Sequence, residues 1–197
     1  PGDYALHTRS GDLEIGVGDD AVWMDMAPPT DGPTFSEEEQ GALYAAYGLS
    51  LADRPEGLEP QAVSTGLMDI LLPVRDLATL DKAVQNEAEV TRLSEHYNVV
   101  GVHMFCPHTP DAAAHCRNFA PLYAIPEEAA TGTSNGALTY YLFRRGLIQA
   151  GADNRFVQGE KMGKPSEILS RITEDNGSVK VRVGGRALIT LKCELMG

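Results

Sequence analysis

Residues 127–146 carry one long helix pattern: Glu-Glu-Ala-Ala-Thr-Gly-Thr-Ser-Asn-Gly, then a mostly apolar run to Arg145, set among segments that read as β structure. Ala137, Leu138, Tyr141 and Leu142 recur at helical spacing and mark its buried face. Gly146 stands at the C′ position, where a left-handed residue closes a helix. With a β-hairpin and a mixed β and α region before it and a β-meander after it, this helix does not give the regular strand–helix alternation of a doubly wound parallel sheet.

The flanks support this. Leu13, Ile15 and Val17 alternate with Asp12, Glu14 and Gly16, residues 18–20 turn, and 21–26 run back, which is a β-hairpin. Residues 27–33, with three prolines, read as an irregular linker. Ser36 with Glu39 forms a capping box for a helix over 37–47, ended by Gly48. Residues 61–74 are strand, turn at Gly66, strand. Helices follow over 77–85 and 87–96, the second capped by Asn86, and then a valine-rich strand over 98–106 and a loop over 107–114. The C-terminal part reads as a meander: 166–173 extended, a turn over 174–177, 178–183 returning, and a last strand over 186–195. The fold class is α+β.

Composition narrows the function. Sixteen basic against 28 acidic residues give a formal net charge of −12, which repels phosphate backbones and anionic membranes. No apolar run reaches the ~18 residues of a membrane span. The start, Pro1-Gly2-Asp3-Tyr4, lacks the basic and apolar regions of a signal peptide. Three cysteines, Cys106, Cys116 and Cys193, are too few and too odd in number for a disulfide framework, so a reducing cytoplasm is expected.

The turn at residues 131–136 is the main chemical feature. Small hydroxyl residues and glycine at a helix start leave N–H groups open to an anion, and the helix dipole favours negative charge there. The plainer reading is capping by Thr131 or Thr133. Glu128, just upstream, is placed to act as an acid or base or to bind substrate; the alternative is a solvated loop carboxylate. His103, Cys106, His108, His115 and Cys116 cluster in sequence, but their spacing fits no paired zinc pattern, and His103 and Cys106 point to opposite faces of a regular strand. Arg117 is either an anion-steering or a structural arginine, and Trp23 is expected in the core. Walker, dinucleotide-glycine, G-x-S-x-G and H-E-x-x-H motifs do not occur.

Arg117-Asn118-Phe119-Ala120-Pro121 and Thr131-Gly132-Thr133-Ser134-Asn135-Gly136-Ala137-Leu138 resemble the phenazine-biosynthesis PhzF family of isomerases. Its hallmark is an acidic residue, then Asp-Pro-Ala-Thr-Gly-Ser/Thr, then a helix. Ser64-Thr65-Gly66, the stretch 158–166 from Gln158 to Ser166, and Val181-Arg182-Val183-Gly184-Gly185 also match in order. The resemblance implies a diaminopimelate-epimerase-like fold, with a curled mixed sheet around a central helix. It divides the chain into the end of an N-terminal domain (1–28), a C-terminal domain (29–185) and a strand returning to the first (186–197). It implies acid–base proton shifts on small carboxylate-bearing molecules without metal, nucleotide or pyridoxal cofactor. It casts Glu128 and Thr133 as catalytic and Thr131, Gly132, Ser134 and Gly66 as substrate-binding. Glu128 stands where the family has aspartate, and Ala129 replaces its proline.

The family's N-terminal third, with its proton-shuttling glutamate and Gly-His-Pro motif, has no counterpart here; no Gly-His-Pro occurs. Pro1 fits a chain whose initiator methionine was removed. The expectation is therefore one half of a split isomerase, a hetero-oligomer completed by a complementary N-terminal PhzF-like polypeptide, with no nucleic-acid or membrane partner. The alternatives are a truncated fragment of a full-length isomerase and a catalytically inactive binding or regulatory subunit. Thiol-based racemisation, as in the fold's two-cysteine branch, is disfavoured by threonine at position 133.

Overall fold

Alternation at the N-terminus builds an antiparallel meander. The computed structural model describes residues 1–8, 11–107, 109–191, 193 and 194. In it β1 (Gly2–Thr8), β2 (Gly11–Val17) and β3 (Val22–Asp25) pair in sequence order. The β2–β3 hairpin is the one expected. β1 carries a weaker signal, because its large apolar residues, Tyr4 and Leu6, stay exposed. Trp23 is half-buried rather than core, lying against Gly184 with the Arg171 guanidinium 5.3 Å from its ring.

The expected linker is not wholly irregular. β4 (Thr30–Thr34) pairs with β5 (Gln61–Ser64), with its register broken between Asp31 and Thr34. β4 lies at the sheet edge, where the N–H that Pro33 lacks needs no ladder partner. α1 (Glu37–Ala45) starts with the expected capping box: Ser36 Oγ accepts from the Glu39 N–H, and Glu39 Oε2 accepts from the Ser36 N–H at 2.7 Å. β6 (Met68–Pro73) returns antiparallel to β5. α2 (Leu77–Lys82) and α3 (Glu87–Tyr97) then cross over to β7 (Gly101–Pro107), which is parallel to β6.

β8 (Ala114–Ala120), β9 (Ile125–Glu128) and β10 (Asp153–Gln158) go beyond the sequence reading. Every residue of β8 is buried, so no alternation betrays it. α4 (Gly132–Arg144) connects β9 to β10, which lies parallel to β8. β11 (Ser166–Asp175) and β12 (Ser178–Gly185) form the C-terminal hairpin, longer than expected because only Asn176 and Gly177, both at positive φ, make the turn. The strand expected over 186–195 is not formed: residues 186–191, 193 and 194 are in no strand, while 192 and 195–197 lie outside the described residues.

Among the described residues the strands make one mixed sheet in the order β1-β2-β3-β12-β11-β10-β8-β7-β6-β5-β4, with β9 beside β8. β3 and β4 are consecutive in the chain, yet eight strand steps separate them, roughly 38 Å if the sheet were flat. The link from Asp25 to Thr30 spans at most about 18 Å. The sheet must therefore curl, and it curls around α4. Ala137, Leu138, Tyr141 and Leu142 are buried as expected, but so is every other residue from 134 to 142, because walls surround the helix. Phe105, Phe156, Ile172 and Val181 pack on α4 inside the curl, while Met104, Val102 and Cys106 face the outer core made with α1, α2 and α3.

Candidate active site

The open end of the curl holds the start of α4. β9 ends at Glu128, and Ala129-Ala130 lead to the N-cap residue Thr131. Thr131 makes no side-chain cap; its hydroxyl donates to Glu128 Oε2 at 3.1 Å instead. Capping by Thr131 is thus ruled out, and the N–H groups of Gly132, Thr133 and Ser134 receive no cap from it. The open N–H groups of a first helical turn and the helix dipole make such a terminus attractive to an anion.

Gln158, at the end of β10, holds this loop. Its Nε2 donates to the Glu128 carbonyl at 2.7 Å and to Thr131 Oγ1 at 3.1 Å, while its Oε1 accepts from Asn135 Nδ2 at 2.9 Å. Gly159 follows at φ +84°, and a Cβ there would stand 2.8 Å from the Ala129 carbonyl oxygen and 2.4 Å from that of Lys164. Glycine is needed for both reasons. Gln158 has no special mark in the sequence beyond its place in a matched stretch.

A cavity of about 550 Å³ opens over this terminus. Its polar floor is Glu128, Thr131, Gly132, Thr133, Ser134, Asp69 and Asn118. Met24 of β3, Leu67, Tyr123 and Ile125 add apolar wall, and the last three are 51%, 59% and 38% exposed, so the rim is apolar and open to solvent. Gly66 does not line the cavity. It lies in the β5–β6 turn at φ +140°, where a Cβ would come 3.9 Å from Thr133 Cγ2, and its neighbour Thr65 ties the turn to the helix by donating to the Thr133 carbonyl at 2.9 Å.

Asp69 is the residue the sequence reading missed. It is 2% exposed, and its carboxylate accepts the Ser134 hydroxyl at 2.5 Å. Asn118 Nδ2 donates to Ser134 Oγ at 3.0 Å and meets His103 Nδ1 at 3.2 Å. An amide nitrogen only donates, so His103 Nδ1 is the unprotonated ring nitrogen. Burial pushes the Asp69 carboxyl up to about 6, against hydrogen bonds from Ser134 and the Gly101 N–H, and the nearby Glu128 carboxylate pushes the same way as burial. Burial holds the His103 ring down to about 4, so it is neutral. The signal was present: Asp69 is the single charge in the apolar stretch Leu67-Met68-Asp69-Ile70-Leu71-Leu72.

The remaining candidates are structural. Arg117 is 7% exposed, forks onto Glu127 with two 2.8 Å bonds and donates to the carbonyls of Leu80 and Ala83. His115 sits between Asp111 and Glu160 at 3.1 and 2.5 Å. His103 and Cys106 project from opposite faces of β7, His103 toward Asn118 and Cys106 into the outer core. Cys116 is buried beside Asn135, Cys193 is exposed, and His108 lies outside the described residues.

A family model described as phenazine biosynthesis-like protein, PhzC-PhzF, matches residues 1–193. An uncharacterized isomerase of Deinococcus radiodurans is 32% identical over 186 residues, covering 90% of this chain and 58% of that protein. A trans-2,3-dihydro-3-hydroxyanthranilate isomerase of Pseudomonas chlororaphis is 40% identical over 55 residues, 28% of this chain and 20% of that protein. A Bacillus anthracis phenazine biosynthesis protein of the PhzF family superposes with a TM-score of 0.81 at 22% identity, over 93% of this chain and 64% of that one. The chain thus spans about three-fifths of the Deinococcus protein (58%). No helix among the described residues is long and apolar enough to cross a membrane.

Proposed function

The chain belongs to the phenazine biosynthesis-like PhzC-PhzF family, and on that premise we propose that it provides one wall of a cofactor-independent isomerase that shifts a proton on a small carboxylate. The observation that carries this reading is the N-terminus of α4, uncapped by Thr131 and facing a cavity with apolar walls. A substrate carboxylate lies against the N–H groups of residues 132–134, or those groups hold the negative charge that develops as a proton leaves the neighbouring carbon. Thr133 adds a hydroxyl at the same place. Glu128, steadied by Thr131, binds an amino or hydroxyl group of the substrate or exchanges its proton. The Pseudomonas chlororaphis relative is named for an anthranilate-type substrate; the apolar walls here suit a ring-bearing carboxylate of the same kind, an intermediate of natural-product biosynthesis.

The opposing acid–base carboxylate comes, in this proposal, from a complementary N-terminal PhzF-like polypeptide, so that the active enzyme is a hetero-oligomer working in a reducing cytoplasm. Chemistry is followed by deuterium entering product from D₂O. In the assembled enzyme Thr133→Ala lowers kcat/KM by about tenfold, the loss of one hydrogen bond of ~1.4 kcal/mol, and Glu128→Ala lowers it further. Unchanged kinetics in both variants would refute the site. Complex formation without any deuterium uptake would instead favour a catalytically inactive binding subunit, the reading to which glutamate at position 128 lends support.

A further inference from the structure

The donors and acceptors beneath the helix terminus run in one direction only. Asn118 Nδ2 gives one hydrogen toward His103 Nδ1 and one to Ser134 Oγ, and Ser134 sends its own hydrogen to Asp69. Asp69, accepting from Ser134 and from the Gly101 N–H, is satisfied as an anion. Once protonated it has a hydrogen to place, and its nearest acceptor is Ser134 Oγ. The Ser134 hydroxyl must then turn away. It cannot turn to Asn118, which presents only N–H, and the space left is the cavity that Ser134 and Asp69 both line.

We propose that Asp69 is a positioning residue that takes up a proton from solvent when a carboxylate binds at the start of α4, freeing the Ser134 hydroxyl to donate to that ligand. This rests on the anion-binding reading of the helix terminus given above and adds a regulation to it. Like charges account for the coupling: a bound anion beside Asp69 disfavours its ionised form, so protonation and binding favour each other. The groups facing Asp69 leave no cation to offset this. Glu128 from β9 adds negative charge, His103 on β7 is neutral, α4 presents the Ser134 hydroxyl, and the residue opposite on β5 is Val63. The raised Asp69 carboxyl, near 6 before ligand binds, places the switch in an accessible pH range.

The test uses the full chain and benzoate, a ring-bearing carboxylate. Calorimetry in buffers of different ionisation enthalpy reports the protons taken up, and the carboxyl-carbon resonance of Asp69 reports which group takes them. The expected result is affinity that falls from pH 5 to pH 8, by up to roughly a hundredfold if only the protonated form binds. Uptake approaches one proton per benzoate at neutral pH, and the Asp69 resonance titrates at higher pH in the complex. Asp69→Asn, which can donate to Ser134 at every pH, removes the uptake and keeps binding at pH 8. Benzoate binding without proton uptake, or with uptake that persists in Asp69→Asn, overturns the coupling and leaves the carboxylate site standing. No binding at any pH from 5 to 8 overturns both. Should Asp69→Asn fail to fold, the wild-type resonance decides alone: an unmoved midpoint on binding sinks the proposal.

Discussion

Asp69 and His103 are two buried titratable groups whose effects on stability oppose each other. The Asp69 carboxyl is raised from 3.8 to about 6, so the folded state keeps a proton that the unfolded chain has lost, and stability falls as pH rises across that window. The His103 ring is lowered from 6.5 to about 4, so the folded state lacks a proton that the unfolded chain holds, and stability rises with pH between those values. Each slope is about 1.4 kcal/mol per pH unit, and between pH 4 and 6 they nearly cancel. Relative to wild type, Asp69→Asn should make stability rise with pH by about that amount per unit, and His103→Asn should make it fall. Urea denaturation at pH 4, 5 and 6 measures both; variants that run parallel to wild type would show that neither group is perturbed. Position 69 also shows what a sequence can disclose. A lone acid in an apolar strand announces burial with a purpose, but Ser134, its partner, is 65 positions away and only the folded chain brings them together.

At the scale of elements, local rules were legible where local forces decide. Ser36 with Glu39, Asn86, Gly146 and Asn176-Gly177 all end or open elements through contacts within a few residues, and the helices and hairpins they punctuate lie where expected. β8 was not legible, since a strand buried on both faces loses its alternation, and neither was β4, whose Pro33 is tolerated because it lies at an edge. α4 was legible as a helix but not as one enclosed on all sides. Gly136 measures that enclosure: a Cβ would stand 2.8 Å from Thr65 Oγ1 and 3.4 Å from Val183 Cγ1. Helix propensity alone favours Gly136→Ala by about 1 kcal/mol. Crowding against a threonine already bonded to the Thr133 carbonyl should outweigh it, giving net destabilisation of ~1–3 kcal/mol. Adding Thr65→Ser keeps that bond and the clashing oxygen with it and should recover little, whereas Thr65→Ala removes the clashing oxygen and should recover more. A Gly136→Ala protein at least as stable as wild type in urea would show that the helix is packed more loosely than this.

For the whole molecule, apolar surface stands exposed on β1 and on the segment after β12. Leu188, Ile189 and Leu191 are 88%, 80% and 76% exposed, and Tyr4 and Leu6 stand out on the edge strand β1. Exposed apolar residues beside an unpaired edge favour association. Sedimentation of the chain alone at micromolar concentration should show self-association, replaced by one defined complex when an N-terminal PhzF-like polypeptide is added; a monodisperse monomer indifferent to that addition would remove the case for a hetero-oligomer. The curl of the sheet has a consequence in time as well. Asp25 pairs with Arg182, so the β3–β12 ladder joins strands more than 150 positions apart in the sequence. Closing so long a loop is slow because its entropy is lost before any contact repays it. α4 is therefore synthesised before its final walls, β11 and β12, exist. Until the β11–β12 hairpin emerges, β3 lacks the β12 edge it pairs with, and the helix that carries the site stands half uncovered.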